Sequence, residues 1–195
     1  TGSAPYPINY YPLQVPIPLH APIAGAPGVG GSGDARDVAY VWTVVTSWGE
    51  ESAPSDPSNT VSSTQGQSVA LTNMTLVWQV SQAYTVDNWV VPTVLGSFAY
   101  KCTTAGTSST VAPNWGQCVT VGDTITDGTG TWTCVDKGIL FDSGGVKNIY
   151  RTNIGNTAAS WQLLTSIAMT ATTYTDTTTD DDLEATILPS SDWDS

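Results

Sequence analysis

Cations are what this chain has least of. Five Lys and Arg stand against 17 Asp and Glu, a net charge of −12, and charged residues fill only 11% of the 195 positions. The five, Arg36, Lys101, Lys137, Lys147 and Arg151, are scattered along the chain. A phosphate backbone needs clustered Lys and Arg, so no nucleic-acid partner is expected. No apolar run reaches the ~18 residues of a membrane span. The first residues hold no basic stretch followed by an apolar one, so no signal peptide is expected there. A sustained apolar stripe of period 3.6 is also missing; 161–169 comes nearest, and strand alternation explains it as well.

Catalytic groups are equally sparse. The single histidine, His20, lies among prolines, not in the rigid surroundings that a Ser-His-Asp or Cys-His nucleophile needs. There is no nucleophile elbow or Walker loop, and Gly28-Val29-Gly30-Gly31 shares only glycine content with a phosphate loop. Asp123 and Asp127 could form a carboxylate pair for glycoside hydrolysis, but Gly122-Asp123 and Asp127-Gly128 read first as turns. Asp180-Asp181-Asp182, with Asp176 and Glu184 nearby, offers hard oxygen ligands without the spaced pattern of a calcium loop, and reads as a solvated acidic loop. No metal, cofactor or enzymatic activity is expected.

Thr, Ser, Gly, Val and Pro dominate instead, with eight Trp and eight Tyr. Thr, Val and aromatics suit half-buried pleated surfaces, and Gly and Pro punctuate them, so an all-β fold follows. Three textures divide the chain. Residues 1–33 carry seven of the twelve prolines and end in Gly28-Val29-Gly30-Gly31-Ser32-Gly33. Such a segment reads as an extended arm of polyproline II or edge-strand type. Tyr6, Tyr10, Tyr11, Leu13, Val15, Ile17 and Leu19 are apolar side chains that the arm cannot bury against itself, and they are expected to fill pockets on a partner.

Residues 34–75 and 138–195 share a strand-rich texture. Val69, Leu71 and Met74 alternate inward after a turn at Thr64-Gln65-Gly66-Gln67, and Val146–Thr152 alternates cleanly. Between them, 76–137 holds all three cysteines and four tryptophans, and reads as a small module inserted in a surface loop. Trp89 and Trp115 in loop-like sequence, with Tyr84, are candidate glycan contacts; the competing role for such aromatics is the module's own core. Cysteine spacings of 16 and 16 without CxxC do not fit zinc. Cys102 and Cys134 each follow an aromatic strand residue by two positions, which places them on matching faces of what can be adjacent strands. They are a candidate disulfide or two buried thiols, with Cys118 left over.

Residues 38–55, VAYVWTVVTSWGEESAPS, resemble the last hairpin of a bacterial fibronectin type III-like domain. The pieces that normally precede it come later: SVALTNMTLVWQV (68–80), NIYRT (148–152), WQLLTSIA (161–168) and TTYTDT (172–177). The resemblance implies a fibronectin/immunoglobulin-like sandwich that is circularly permuted or completed by a neighbouring segment. It predicts that the strand within 39–47 shares a sheet with Val146–Thr152. The Trp- and Cys-rich insert resembles a small module of phage virion proteins and, more loosely, chitin- and cellulose-binding modules. Together with LPSSDW (188–193), the stretch 38–193 resembles a domain of bacteriophage tail-associated virion proteins. That implies a non-enzymatic structural protein of the virion, tail-associated or decorating, whose partners are other copies of itself and other virion proteins. The alternatives are a surface or secreted module binding a glycan, for a virion a host-surface one, and a subunit of a bacterial extracellular filament.

Overall fold

The computed structural model describes residue 15 and residues 17–47, 49–94, 96–136, 145–153, 160–183 and 185–188. The strands are β1 (Ile23–Ala24), β2 (Ser32–Val38), β3 (Tyr40–Val45), β4 (Val61–Gln65), β5 (Val69–Thr72), β6 (Ala83–Tyr84), β7 (Trp89–Val90), β8 (Phe98–Thr104), β9 (Gly106–Thr107), β10 (Thr124–Asp127), β11 (Gly130–Asp136), β12 (Val146–Asn153), β13 (Ser160–Ala168) and β14 (Tyr174–Asp176). Among the described residues the one helical element is a 3-10 turn, Trp115–Gln117, to which Asn114 lends its side-chain oxygen. The fold is all-β, as composition requires.

Two three-stranded sheets form a sandwich. One has the order β13-β12-β3, the other β1-β5-β14. β3 pairs antiparallel with β12, Tyr40 facing Arg151 and Val45 facing Val146. The strand of the early hairpin therefore shares a sheet with NIYRT. Tyr40, Trp42 and Val44 alternate toward the other sheet and meet Val69, Leu71, Met74, Ile149 and Leu164 in one core. Val69, Leu71 and Met74 are all buried. Gly66 makes the tight turn before β5 at φ 79°, a conformation glycine adopts without steric cost.

β3 is an edge strand of its sheet, yet its backbone is fully engaged on that side. Ser52, Ser55 and Ser58 run alongside it, and their N–H groups donate to the carbonyls of Val44, Trp42 and Tyr40. Each serine hydroxyl in turn accepts the N–H of the same β3 residue, at 3.0, 3.2 and 3.0 Å, and donates to the next carbonyl of its own segment. Three residues of this strap thus match two of β3. The surplus residue of each full repeat is followed by or is a proline, Pro54 or Pro57, which has no N–H to leave unpaired.

The segment between these sandwich strands has its own four-stranded sheet, β10-β11-β8-β7, and its own core. That core consists of Trp78, Tyr84, Val90, Tyr100, Cys102, Cys118, Ile125, Trp132 and Cys134. The chain enters it beside Val91: Trp78 N–H donates to Val91 O at 2.9 Å and Val91 N–H to Leu76 O at 2.9 Å. Its exit at Gly138 lies outside the described residues.

Candidate functional site

Two surfaces follow from the sequence as candidate sites, the aromatic module and the N-terminal segment. Of the three candidate aromatics one is buried and two are half-buried. Tyr84 is buried; its ring meets Trp132 edge-on at 4.9 Å and its hydroxyl accepts the Gln79 N–H at 2.8 Å. Desolvation pushes the Tyr84 phenol up to about 12. Trp115 is half-buried, 4.2 Å from Tyr100 and edge-on to Trp78 and Trp132 at 6.3 and 6.5 Å. Trp89 is half-buried against the sandwich core. Tyr84 thus fills the module's own interior, while Trp89 and Trp115 each pack on one side and keep part of their surface exposed.

Asp127 organises that interior. It is buried, and its Oδ2 accepts both the Trp78 and the Trp132 indole N–H, at 2.7 and 3.0 Å, while its Oδ1 accepts the Ser109 N–H at 2.8 Å. The sequence offered it as a turn residue or as the partner of Asp123 in a carboxylate pair; Gly128 at φ 59° shows that it is also a turn residue. Asp123 is a plain turn carboxylate, accepting from Val119 and Thr120 N–H and from the Thr120 hydroxyl. These bonds hold its pKa below the usual carboxylate value.

The disulfide joins Cys118 to Cys134, Cα atoms 6.2 Å apart, and Cys102 is a buried free thiol. This corrects the Cys102–Cys134 pairing. Cys102 and Cys134 do lie on the adjacent strands β8 and β11, but Cys102 faces Trp132 and Cys134 faces Tyr100. The returning loop brings Cys118 in instead: Gly122 N–H donates to Cys134 O, and Cys134 N–H to Asp123 O, both at 2.8 Å. Burial raises the Cys102 thiol pKa and so disfavours the thiolate, the reactive form.

The N-terminal segment divides. Tyr6, Tyr10, Tyr11 and Leu13 lie outside the described residues. From residue 17 the chain packs on its own domain, so an arm of 1–33 reaching entirely to a partner is corrected. Val15 and Leu19 pack on the sandwich and insert cores respectively, and only Ile17 of the three stays exposed. Trp42 Nε1 donates to His20 O at 2.8 Å and Asn73 Nδ2 to Ala21 O at 3.1 Å. Asn59 clamps Ala24 by both backbone groups, at 3.0 and 2.8 Å, and Gln67 Nε2 donates to Gly28 O at 2.9 Å. β1 adds to the edge of β5, pairing Ile23 with Thr72 and Ala24 with Leu71. Desolvation lowers the His20 pKa, so the ring stays neutral at pH 7.

The described cations are committed internally. Arg151 donates to Asp176 at 2.6 Å and Asp180 at 2.9 Å, Arg36 pairs with Asp180, and Lys101 pairs with Asp87 at 2.7 Å. Tyr40 donates to the same Asp176 at 2.9 Å. The acidic run is therefore partly a structural partner of two arginines. Asp180 faces them, and Asp182 accepts the Thr179 hydroxyl at 2.6 Å. Lys147 is buried, donates to Met74 O and Ala171 O at 2.7 and 2.6 Å, and lies 5.2 Å from the Trp42 ring centre. It borders a pocket of about 140 Å³ lined mainly by Leu76, Val77, Val91, Pro92 and Met169. Desolvation brings its pKa down to about 8. Compared with protein-family models, with curated proteins and with solved structures, the chain matches none.

Proposed function

We propose that this chain is a non-enzymatic structural component of a bacteriophage virion, tail-associated or decorating, in contact with other copies of itself and other virion proteins. The observation that supports this reading is the pairing of β3 with β12. It is the pairing implied by the permuted fibronectin type III-like motif order on which the phage resemblance rests. Two short segments also add to sheet edges: β1 extends β5, and Leu163 N–H to Thr186 O and Leu188 N–H to Trp161 O, at 2.8 and 2.9 Å, add residues 186–188 to β13.

The test is mass spectrometry and antibody labelling of density-purified particles produced by the genome that encodes the chain. The expected result is the chain at fixed stoichiometry and label at one position on the particle. Recovery only in the particle-free fraction overturns the reading. Label along a helical filament that contains no phage particle would transfer it to the extracellular-filament class.

A further inference from the structure

Lys147 stands where the alternation of β12 calls for an apolar side chain. It shares a strand face with Ile149 of the sandwich core and with Arg151. Arg151 is answered by Asp176 and Asp180. Lys147 has no such carboxylate among the described residues. Its ammonium donates to Met74 O and Ala171 O and lies over the Trp42 ring. An ammonium carries three donors, so one is unspent. The side chain belongs to a residue only 1% exposed, and a buried charge without a counter-charge is costly.

Thr75 is a second group of this kind. It is 6% exposed. Its hydroxyl accepts the Val77 N–H at 2.9 Å, and among the described residues it donates to nothing, although buried donors normally find an acceptor.

Both groups line the same pocket of about 140 Å³. Leu76, Val77, Val91, Pro92 and Met169 make its walls, and the exposed Thr93, Thr170 and Thr172 rim it. No Asp, Glu or His lines it. The ammonium is fixed between the two segments that flank the cavity, since its two carbonyls belong to the neighbours of Thr75 and of Thr170 and Thr172. Backbone bonds hold the walls in place: Val91 N–H to Leu76 O at 2.9 Å, and Met74 N–H to Thr172 O at 3.3 Å. An apolar cavity of roughly this size accepts a benzene-sized guest.

We propose that this pocket binds a short-chain aliphatic monocarboxylate, whose carboxylate meets the Lys147 ammonium and the Thr75 hydroxyl while a tail of about four carbons fills the apolar walls. A neutral polar group answers the hydroxyl and leaves the charge unpaired. A phosphate or dicarboxylate brings a second charge for which the lining has no second cation. The site goes beyond the assembly reading and does not depend on it, because no contact between copies enters it.

The test is amide correlation NMR of the full-length protein at about pH 6.5, where ammonium and carboxylate are both charged. The probe is pentanoate. Saturable shifts are expected at residues 75–77, 91–93 and 169–172, with a Kd on the order of 1 mM. Acetate has the charge without the tail, and pentanol the tail without the charge; each is expected to bind about tenfold more weakly or worse. Lys147→Met removes the charge and keeps the side-chain length, so pentanoate should fall to the pentanol level. A readout on the native chain needs no variant: bound pentanoate should raise the Lys147 pKa above about 8, followed at its Cε resonance, because an anion favours the ammonium. Equal binding of pentanoate and pentanol, an unmoved Lys147 titration, undiminished binding by Lys147→Met, or no localised shift at roughly ten times the expected Kd overturns the assignment.

Discussion

Replacing Asp127 tests whether the insert has an interior organised by one carboxylate. Asp127→Ala leaves two indole N–H groups and the Ser109 N–H without their acceptor, all held at 2.7 to 3.0 Å in the native chain. A buried donor left unpaired costs about 1–3 kcal/mol. The three together come to roughly 3–6 kcal/mol, allowing that relaxation lets water reach one of them. Asp127→Asn is the graded control. Its carbonyl oxygen can still accept from both indoles, while its amide then faces the Ser109 N–H, so a cost of about 1–3 kcal/mol is expected. Urea unfolding followed by Trp fluorescence measures both. Because the insert core and the sandwich core are separate clusters, amide exchange should accelerate in β8, β10 and β11 and stay slow in β3 and β12. An Asp127→Ala variant within about 1 kcal/mol of the parent, or equal to Asp127→Asn, refutes the reasoning.

Lys147 gives a pH signature. Its folded pKa of about 8 lies below the ordinary lysine value of 10.5, so the unfolded chain binds this proton more tightly. Its contribution is favourable above 10.5 and is lost as pH falls through 8, so stability should rise from pH 8 upward, by up to about 3 kcal/mol in all. Tyr40 and Tyr84 have raised pKa values, which act in the opposite sense near pH 10, so denaturant melts between pH 8 and 9.5 are the clean window; a slope that persists in Lys147→Met assigns it elsewhere. Single changes of Ser52, Ser55 or Ser58 to Ala each remove the acceptor of one β3 N–H and should cost about 1–2 kcal/mol in chemical denaturation; neutral effects at all three would show that the strap is not bonded as described. Thiol titration of the denatured, unreduced protein should find one free thiol, with peptide mapping linking Cys118 to Cys134; a Cys102–Cys134 peptide would contradict the fold of the returning loop.

Alternation made the sandwich legible. Val69, Leu71 and Met74, and the strand through Ile149, carry their inward pattern in the sequence, and the motif order implied the β3–β12 partnership. The insert's interior was not legible. Asp127 looks like a turn residue because it is one, and only the fold reveals that its carboxylate points at two distant indoles. Disulfide choice depended on where the 118–123 loop returns, and strand spacing carries no information about that. The Ser-x-x-Ser-x-x-Ser period at 52, 55 and 58 stood in plain view, but a period of three matches neither helix nor strand, so periodicity reading passed over it. In the N-terminal segment, proline content correctly excluded helix and central strand, yet it could not distinguish a foreign groove from the chain's own.

The serine strap has one further consequence. A strand edge normally works as a template, offering an alternating row of donors and acceptors on which another strand can polymerise. The strap consumes that row on β3 without recreating it on its outer side, because its own spacing is three residues to two and two prolines interrupt its N–H groups. The sheet therefore terminates there instead of passing its repeat onward. Where like domains stand side by side at high local concentration, such a stop keeps neighbouring sheets from fusing into a continuous fibre. It leaves association to contacts that can be matched in shape and counted.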